Sequence, residues 1–371
     1  MRSHSTAYGL LALLTLVACA GPSAESGDTA AARSRESKTA DTQESDSGEL
    51  STLSSLPPDD PLIQEWTGDL DGMVERRYIR ALVTYSKTNY FLDGATQRGV
   101  SYEALKEFEK VLNQQFGRKT LELHVIIIPV GRDELIPALI RGVGDLAVAN
   151  LTITPQRREQ VDFSMPLATG VRELVVTGPS GPEIKTVDDL AGKPVHVRRS
   201  SSYWSSLEAL NADFTARGLE PVELVPAKEF LEDEDLLEMV NAGLIPTVVV
   251  DSHKMKLWAQ IFDHLVVHDH VAVRDGGQIG WAFRKGSPQL EEAVNSFVRG
   301  HKKGTLYGNI ILKRYFENTS WVSNALAEKD LQRFQATVAL FETYGERYGF
   351  HYLMLIALAY QESRLDQSLR S

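Results

Sequence analysis

The chain has 371 residues, with 39 Lys and Arg against 50 Asp and Glu and an apolar share of 43%. That length leaves room for two or three domains, and the apolar share is ordinary for packed globular protein. The acidic balance argues against general nucleic-acid binding, where neutralising phosphate dominates affinity.

Residues 1–18 open with Arg2 and His4 and run into an apolar stretch, Ala7–Ala18, too short to span a bilayer and shaped like a signal peptide. Leu16-Val-Ala-Cys19 resembles a bacterial lipobox, in which the cysteine is acylated and becomes the mature N-terminus. Ala20 rather than Asp at the next position implies, by the same resemblance, sorting to the outer membrane. Cys19 is the sole cysteine, so its acylation leaves no thiol for a disulfide or a thiolate site and tethers a soluble body. From Ala20 to about Asp60 the composition is Ser, Thr, Ala, Asp and Glu, with too little apolar surface to offset ordering. Residues 19–72 therefore read as a flexible tether, with order beginning near Arg77.

The next hundred residues alternate. Tyr78–Tyr85 reads as a strand. Ser101–Phe116 reads as a helix with Leu105, Phe108, Val111 and Leu112 at helical spacing, capped by Ser101 and stopped by Gly117. Leu121–Ile128 is a strand, Asp133–Arg141 a helix stopped by Gly142 and Gly144, and Asp145–Asn150 a strand. This rhythm predicts a mostly parallel sheet with crossover helices, whose ligands bind at the carboxyl ends of strands. Asn150 and Thr152 stand at such an end. Thr154 is a good N-cap and Pro155 suits the first helical position. A helix start favours an anion, and Arg157 adds a guanidinium fork suited to a carboxylate. The bland alternative is a strand–turn–helix with a solvated Arg157-Arg158 pair.

After a strand at Val171–Thr177 and a short capped helix at Glu183–Leu190 the rhythm restarts. Strands are expected at Pro194–Arg198, Val222–Val225, Pro246–Val250 and Leu265–His268. Helices are expected at Ser202–Arg217 and Asp233–Ala242, and another from Asp251. A strand at Ile279–Arg284 precedes helices at Ser287–Lys303 and Thr305–Phe316. The chain thus holds two α/β units alike in rhythm.

Two stretches, Asn150–Ser164 and Ile279–Leu290 with its continuation to Tyr315-Phe316, resemble the family 3 periplasmic solute-binding proteins of the amino-acid-binding type. The resemblance covers Arg77–Phe316. It implies an α/β fold of the two-lobed periplasmic-binding-protein type II, with lobe one at 77–175 and 273–316, lobe two at 176–272, and ligand between them. The crossings would lie near Val175–Gly178 and His268–Val273. It further implies that Arg157 grips the ligand α-carboxylate beside Asn150 and Thr152, that Ser201 or Ser202 adds a hydroxyl, and that Asp251 receives the ammonium. Asp251 has an alternative role as a helix N-cap. Thr84–Phe91 lacks the family's aromatic-proline wall, for which Tyr90 is the substitute, and Arg198-Arg199 places two cations where a small residue is common. The ligand is left unnamed by these departures.

Beyond Phe316, Leu326–Tyr348 has Leu331, Phe334, Val338, Phe341 and Tyr344 at helical spacing, and His351–Arg364 begins another helix. Met354, Leu355 and Leu358 lie on the face of Glu362. A carboxyl desolvated on an apolar face has a raised pKa, as a general acid requires. Ala357–Ser363 resembles the start of the soluble lytic transglycosylase domain, where the Glu of a Glu-Ser pair is the catalytic acid/base; a helix end that merely exposes Glu362 is the bland alternative. Lipobox, binding domain and transglycosylase start, in this order, resemble the membrane-bound lytic transglycosylase F family. The resemblance implies cleavage of the MurNAc-GlcNAc β-1,4 bond to 1,6-anhydromuramoyl products at the periplasmic face of the outer membrane. Its partners would be peptidoglycan glycan strands and an amino-acid or muropeptide ligand. It implies no cofactor, and no metal is expected, since the histidines show no ligand spacing. Residues 326–371 match only the first helices of that all-α, lysozyme-like domain. Its Gly-Leu-Met-Gln and Asn-Ala-Gly segments are not found, so this chain alone is expected to have little or no activity. The alternative function is a lipoprotein solute receptor for amino acids or small peptides without catalysis.

Overall fold

Asp69 caps two helix starts at once. Its carboxylate accepts from the N–H of Leu70 at the start of α1 (Leu70–Arg76) and from the N–H groups of Gln289 and Leu290 far along the chain. The computed structural model describes residues 64–93, 96–117 and 122–319, with isolated positions 322, 341, 347, 358 and 359. Residues 64–72, expected to belong to the tether, are pinned. The buried Arg80 guanidinium donates to Gln64 O at 2.6 Å and to Trp66 O at 3.3 Å, and Trp66 N–H donates to Gly142 O at 2.9 Å. Composition misses this because polar caps and one buried arginine hold the segment, not an apolar face of its own.

β1 (Tyr78–Val83) leads to a small hairpin of β2 (Phe91–Asp93) and β3 (Thr96–Arg98), then to α2 (Val100–Gln115), β4 (His124–Pro129), α3 (Leu135–Arg141) and β5 (Leu146–Thr152). α2 starts after Gly99 rather than at Ser101. Gly99 has φ 118°, and a Cβ there would lie 2.2 Å from Asn89 O, so only glycine fits. The short α4 (Pro155–Gln160), β6 (Asp162–Phe163) and β7 (Ala168–Thr177) follow. After a 3₁₀ turn at Val187–Leu190 come β8 (Pro194–Val197), α5 (Ser202–Ala216), β9 (Glu223–Pro226), α6 (Asp233–Asn241), β10 (Thr247–Asp251) and α7 (Ser252–Trp258). β11 (Val266–Phe283), α8 (Pro288–His301) and α9 (Leu306–Phe316) close the described chain. The strands expected at Leu265–His268 and Ile279–Arg284 are the two ends of β11, an 18-residue strand. Its polar middle hides the continuity, and its register against β7 shifts repeatedly there.

The main sheet runs β4-β1-β5-β11-β7-β10-β8-β9. β4, β1 and β5 are parallel, as are β10, β8 and β9, and the antiparallel pair β11 and β7 joins the two sets. Each set forms a lobe with apolar clusters on both faces. In lobe one these centre on Leu105, Phe108, Trp281 and Phe297, and on Leu82, Leu135 and Phe163. In lobe two they centre on Leu237, Val248 and Trp258, and on Val197, Leu207 and Phe214. β7 already pairs with β10 from Glu173 onward, whereas β11 pairs with β5 only from Ile279. The passage between lobes therefore spans Ala168–Arg172 and Arg274–Gln278, upstream and downstream of the expected crossings at Val175–Gly178 and His268–Val273.

Candidate functional site

The strand end and helix start around Arg157 are built as their residue types require. Thr154 Oγ1 accepts from Arg157 N–H at 3.2 Å, and Pro155 occupies the first helical position of α4. That cap uses one of the helix donors, so the anion-binding capacity here rests on the side chain. The Arg157 guanidinium donates to Thr152 O on its own lobe at 2.8 Å and to Ser200 O of lobe two at 2.9 Å. Burial, with Arg132 and Arg274 adding like charge, lowers its pKa to about 10, still protonated at neutral pH.

Asn150 is one of two non-glycine residues with positive φ among the described residues, at 53°. That conformation, which Asn tolerates better than most residues, goes with two contacts across the seam. Its Nδ2 donates to Asp251 Oδ2 at 3.4 Å, and its Oδ1 lies 3.1 Å from His253 Nε2. Thr152 Oγ1 meets Ser202 Oγ at 3.3 Å, and that hydroxyl lies 2.9 Å from Glu173 Oε1 as donor.

Asp251 is 2% exposed, and its Oδ1 has no hydrogen-bond partner among the described residues. It occupies the N-cap position of α7, yet its side chain makes no capping bond. Burial, reinforced by Asp233 and Glu173 against Lys254 and Arg274, pushes its carboxyl up to about 7. Ser201 does take the capping role: its Oγ accepts from Trp204 N–H at 3.3 Å and donates to Arg198 O at 2.8 Å. Tyr90, expected as a substitute pocket wall, belongs to the lobe-one core at 4% exposure. The exposed ring of that pair is Tyr85, with centroids 5.4 Å apart. The bridge between Ser86 and Tyr90 turns alternate side chains inward and outward.

Several charged residues at this seam carry no local sequence signal. Arg132, at the exit of β4, forms a bidentate pair with Glu232 of lobe two, at 2.8 and 2.6 Å. Glu234 accepts from Ser86 Oγ at 2.8 Å and from Lys87 N–H at 2.5 Å. Within lobe two, Asp233 binds Arg198 at 2.6 Å and also Lys254. Glu173 accepts from Arg274 at 2.6 Å. Burial works against the Asp233 charge, but Lys254, Arg198 and Arg132 outweigh it and hold the carboxyl far below the usual range. Burial and the neighbouring Glu232 instead raise Glu234.

The profile of the bacterial extracellular solute-binding proteins, family 3, matches residues 82–318. The chain belongs to that family. Among solved structures, a variant of the arginine-binding protein from T. maritima superposes with a TM-score of 0.54 at 24% identity, covering 67% of this chain and 99% of that one. An ancestral amino acid-binding protein, a precursor of cyclohexadienyl dehydratase, gives a TM-score of 0.53 at 23% identity, covering 66% and 98%. These likenesses establish the two-lobed periplasmic-binding-protein type II fold. Similar over a longer span are curated proteins named membrane-bound lytic murein transglycosylase F. The one from Desulfosudis oleivorans is 29% identical over 297 residues, or 79% of this chain and 61% of that protein. The one from Methylobacillus flagellatus is 24% identical over 287 residues, covering 76% and 57%. The chain thus spans about three fifths of the length of these relatives.

In this member of the solute-binding family the chain's own side chains bridge the interlobe seam, Arg132 to Glu232 and Asn150 to Asp251 among them. A cavity of about 370 Å³ lies instead beside the hinge strands, lined by Trp281, Phe297, His253 and Phe316 among others. It shares only Asn150 with the expected ligand contacts and is also lined by Lys256, Lys302, Lys303 and Glu317. Among the described residues no cluster of His, Cys, Asp or Glu is arranged to hold a metal, and no helix is long and apolar enough to cross a membrane. Cys19 and Glu362 lie outside the described residues.

Proposed function

We propose that the seam between the lobes binds a small zwitterion, an amino acid or the end of a short peptide, and that this module senses ligand for a peptidoglycan lytic transglycosylase. The carrying observation is the opposition of Arg157, held by Thr152 O on lobe one, to Asp251 on lobe two, whose Oδ1 is buried and unpartnered. A carboxylate fits the guanidinium fork, and an ammonium fits the empty carboxylate oxygen, which burial alone leaves costly to ionise. Asn150, Thr152 and Ser202 supply neutral hydrogen-bonding groups between the two. Ser201 is committed to its cap and contributes through the position it gives α5.

The enzymatic reading draws support from the names of the relatives and from Glu362 in its Ala-Tyr-Gln-Glu-Ser context. Glu362 would protonate the oxygen leaving from the MurNAc-GlcNAc β-1,4 bond. It would then take the proton from the muramyl O6, which attacks C1 to close the 1,6-anhydro ring. No water enters, so a second carboxylate of the kind hydrolases use has no task. Acylation of Cys19 would hold the protein at the periplasmic face of the outer membrane. The alternative is a lipoprotein solute receptor without catalysis, which draws its support from the family match over residues 82–318.

Thermal shift and calorimetry with L-amino acids and dipeptides test the binding half. A saturable stabilisation that Arg157→Met removes is expected, and a stabilisation unchanged in that variant overturns the assignment. Release of anhydromuropeptides from purified murein by a protein carrying Glu362, lost in Glu362→Gln, tests the enzymatic half. Ligand binding without any murein release would leave the receptor.

A further inference from the structure

The two guanidinium groups of the seam are mounted in the same way. Arg132 is fixed from lobe one, where Nη1 donates to Ala149 O at 3.1 Å and Nη2 to Thr84 Oγ1 at 3.1 Å. Its Nε and Nη2 face lobe two and hold the Glu232 carboxylate with both oxygens. Arg157 is fixed from lobe one by Thr152 O and reaches a lobe-two oxygen at Ser200. Each guanidinium is therefore oriented by its own lobe and satisfied by an acceptor that the other lobe brings. The acidic groups acting most strongly on Arg132, Glu232 and Asp233, both belong to lobe two.

When the lobes part, the two sides differ. Glu232 keeps lobe-two partners: it caps α6 through a reciprocal box with Asp235 and lies 4.0 Å from Arg198. Arg132 keeps neutral oxygens only and presents a vacant fork. A buried guanidinium facing neither anion nor water is costly, and the anion that meets Arg132 in this structure is the Glu232 carboxylate, whose place a carboxylate of a ligand can take. The nearby side chains of Thr84, Asn150 and Thr152 are polar.

Resting on the zwitterion reading above, we infer that the ligand is an amino dicarboxylate, free or at the end of a short peptide. Its ammonium meets Asp251, its α-carboxylate meets Arg157, and its second carboxylate displaces that of Glu232 from Arg132. Glu232 then acts as an internal stand-in for the ligand and competes with it. Glu234, which reaches Ser86 and Lys87 across the same seam, closes the lobes beside this contact without blocking either fork.

Calorimetry on the chain with L-glutamate, L-2-aminoadipate and γ-glutamyl dipeptides, against L-glutamine, L-leucine and L-arginine, tests this. The free and peptide forms separate the two sources of one chemistry. At least one dicarboxylate is expected to bind at least about tenfold more tightly than the neutral and cationic ligands, because a site built to bind a charged group rejects analogues lacking it. Arg132→Met is expected to erase that ratio while keeping the weak binding of glutamine. Glu232→Gln is expected to raise dicarboxylate affinity, since the internal competitor is removed. Equal binding of glutamate and glutamine, tighter binding of arginine, or reduced affinity in Glu232→Gln overturns the inference and leaves the zwitterion site standing. No binding by any of these compounds overturns the zwitterion site as well.

Discussion

Among the described residues, one cluster of buried charge lies inside lobe one and another across the seam. Inside lobe one, Asp145 is fully buried and accepts from Arg80 Nη2 at 3.1 Å, from Arg80 N–H at 2.8 Å and from Arg76, with Arg284 at 3.5 Å. Arg80 and Arg284 spend further donors on carbonyls, including Gly142 O and Gly144 O, while Arg284 Nε finds no partner among the described residues. All partners move as one body, and both Asp145 oxygens are used. Across the seam, Glu173, Glu234 and Asp251 each keep one buried oxygen without a partner, and the pairs Arg132–Glu232 and Arg157–Ser200 join separate lobes. Burial of charge alone does not mark a site. Incomplete satisfaction, divided between two bodies that can part, does.

Breaking the first cluster should have the largest effect on folding. Asp145→Ala leaves Arg80 buried without its counter-charge and is expected to lower unfolding free energy by about 3–5 kcal/mol. Denaturant titration measures this, and a loss below about 1 kcal/mol would remove the contrast drawn here. Arg157→Met should do the opposite. Like-charge neighbours and burial already oppose its charge, so stability should change by less than about 1 kcal/mol, while ligand affinity falls by about 2–5 kcal/mol.

The pH dependence separates the states further. With its carboxyl pushed up to about 7, Asp251 holds a proton in the ligand-free fold over a range where the unfolded chain has lost it. Its contribution to ligand-free stability therefore falls as pH rises from about 4 to about 7. Binding of an ammonium needs the carboxylate, so affinity should rise over the upper part of that range, approaching about tenfold per pH unit below 7. Calorimetry from pH 5 to 8 checks the slope. A flat profile in the parent protein, or an unchanged slope in Asp251→Asn, would detach Asp251 from the ammonium. The smallest effect belongs to Lys87, 3.3 Å from Asp235 and 3.1 Å from Glu238 with its side chain 47% exposed. Lys87→Ala should shift unfolding by no more than about 0.5 kcal/mol; a larger loss would make the exposed rim of the seam as important as its buried centre.

Much of this was legible in the residues. The β5–α4 turn follows from short-range chemistry that any chain with Thr154, Pro155 and Arg157 would obey. The alternation of strand and helix gave the lobes, and two stretches carried the family. The ordered chain begins earlier than composition predicts because caps at Asp69 and donors from Arg80 act over distances that composition does not register. The sequence shows β11 as two strands because its polar middle looks like a loop until β7 is beside it. Tyr90, the expected substitute for the missing aromatic-proline wall, is buried in the lobe-one core, and burial of a ring depends on packing that the sequence does not show.

By itself the sequence determined most of the elements and the family, since these rest on contacts within a few residues or on motif order. Only the tertiary structure decided that Arg132 and Glu232, a hundred positions apart, share one seam, and that Asp251 is left with an unpartnered oxygen. The reason is physical. Desolvation and ion pairing depend on what the fold brings together in space, and no local pattern of residues encodes that distance.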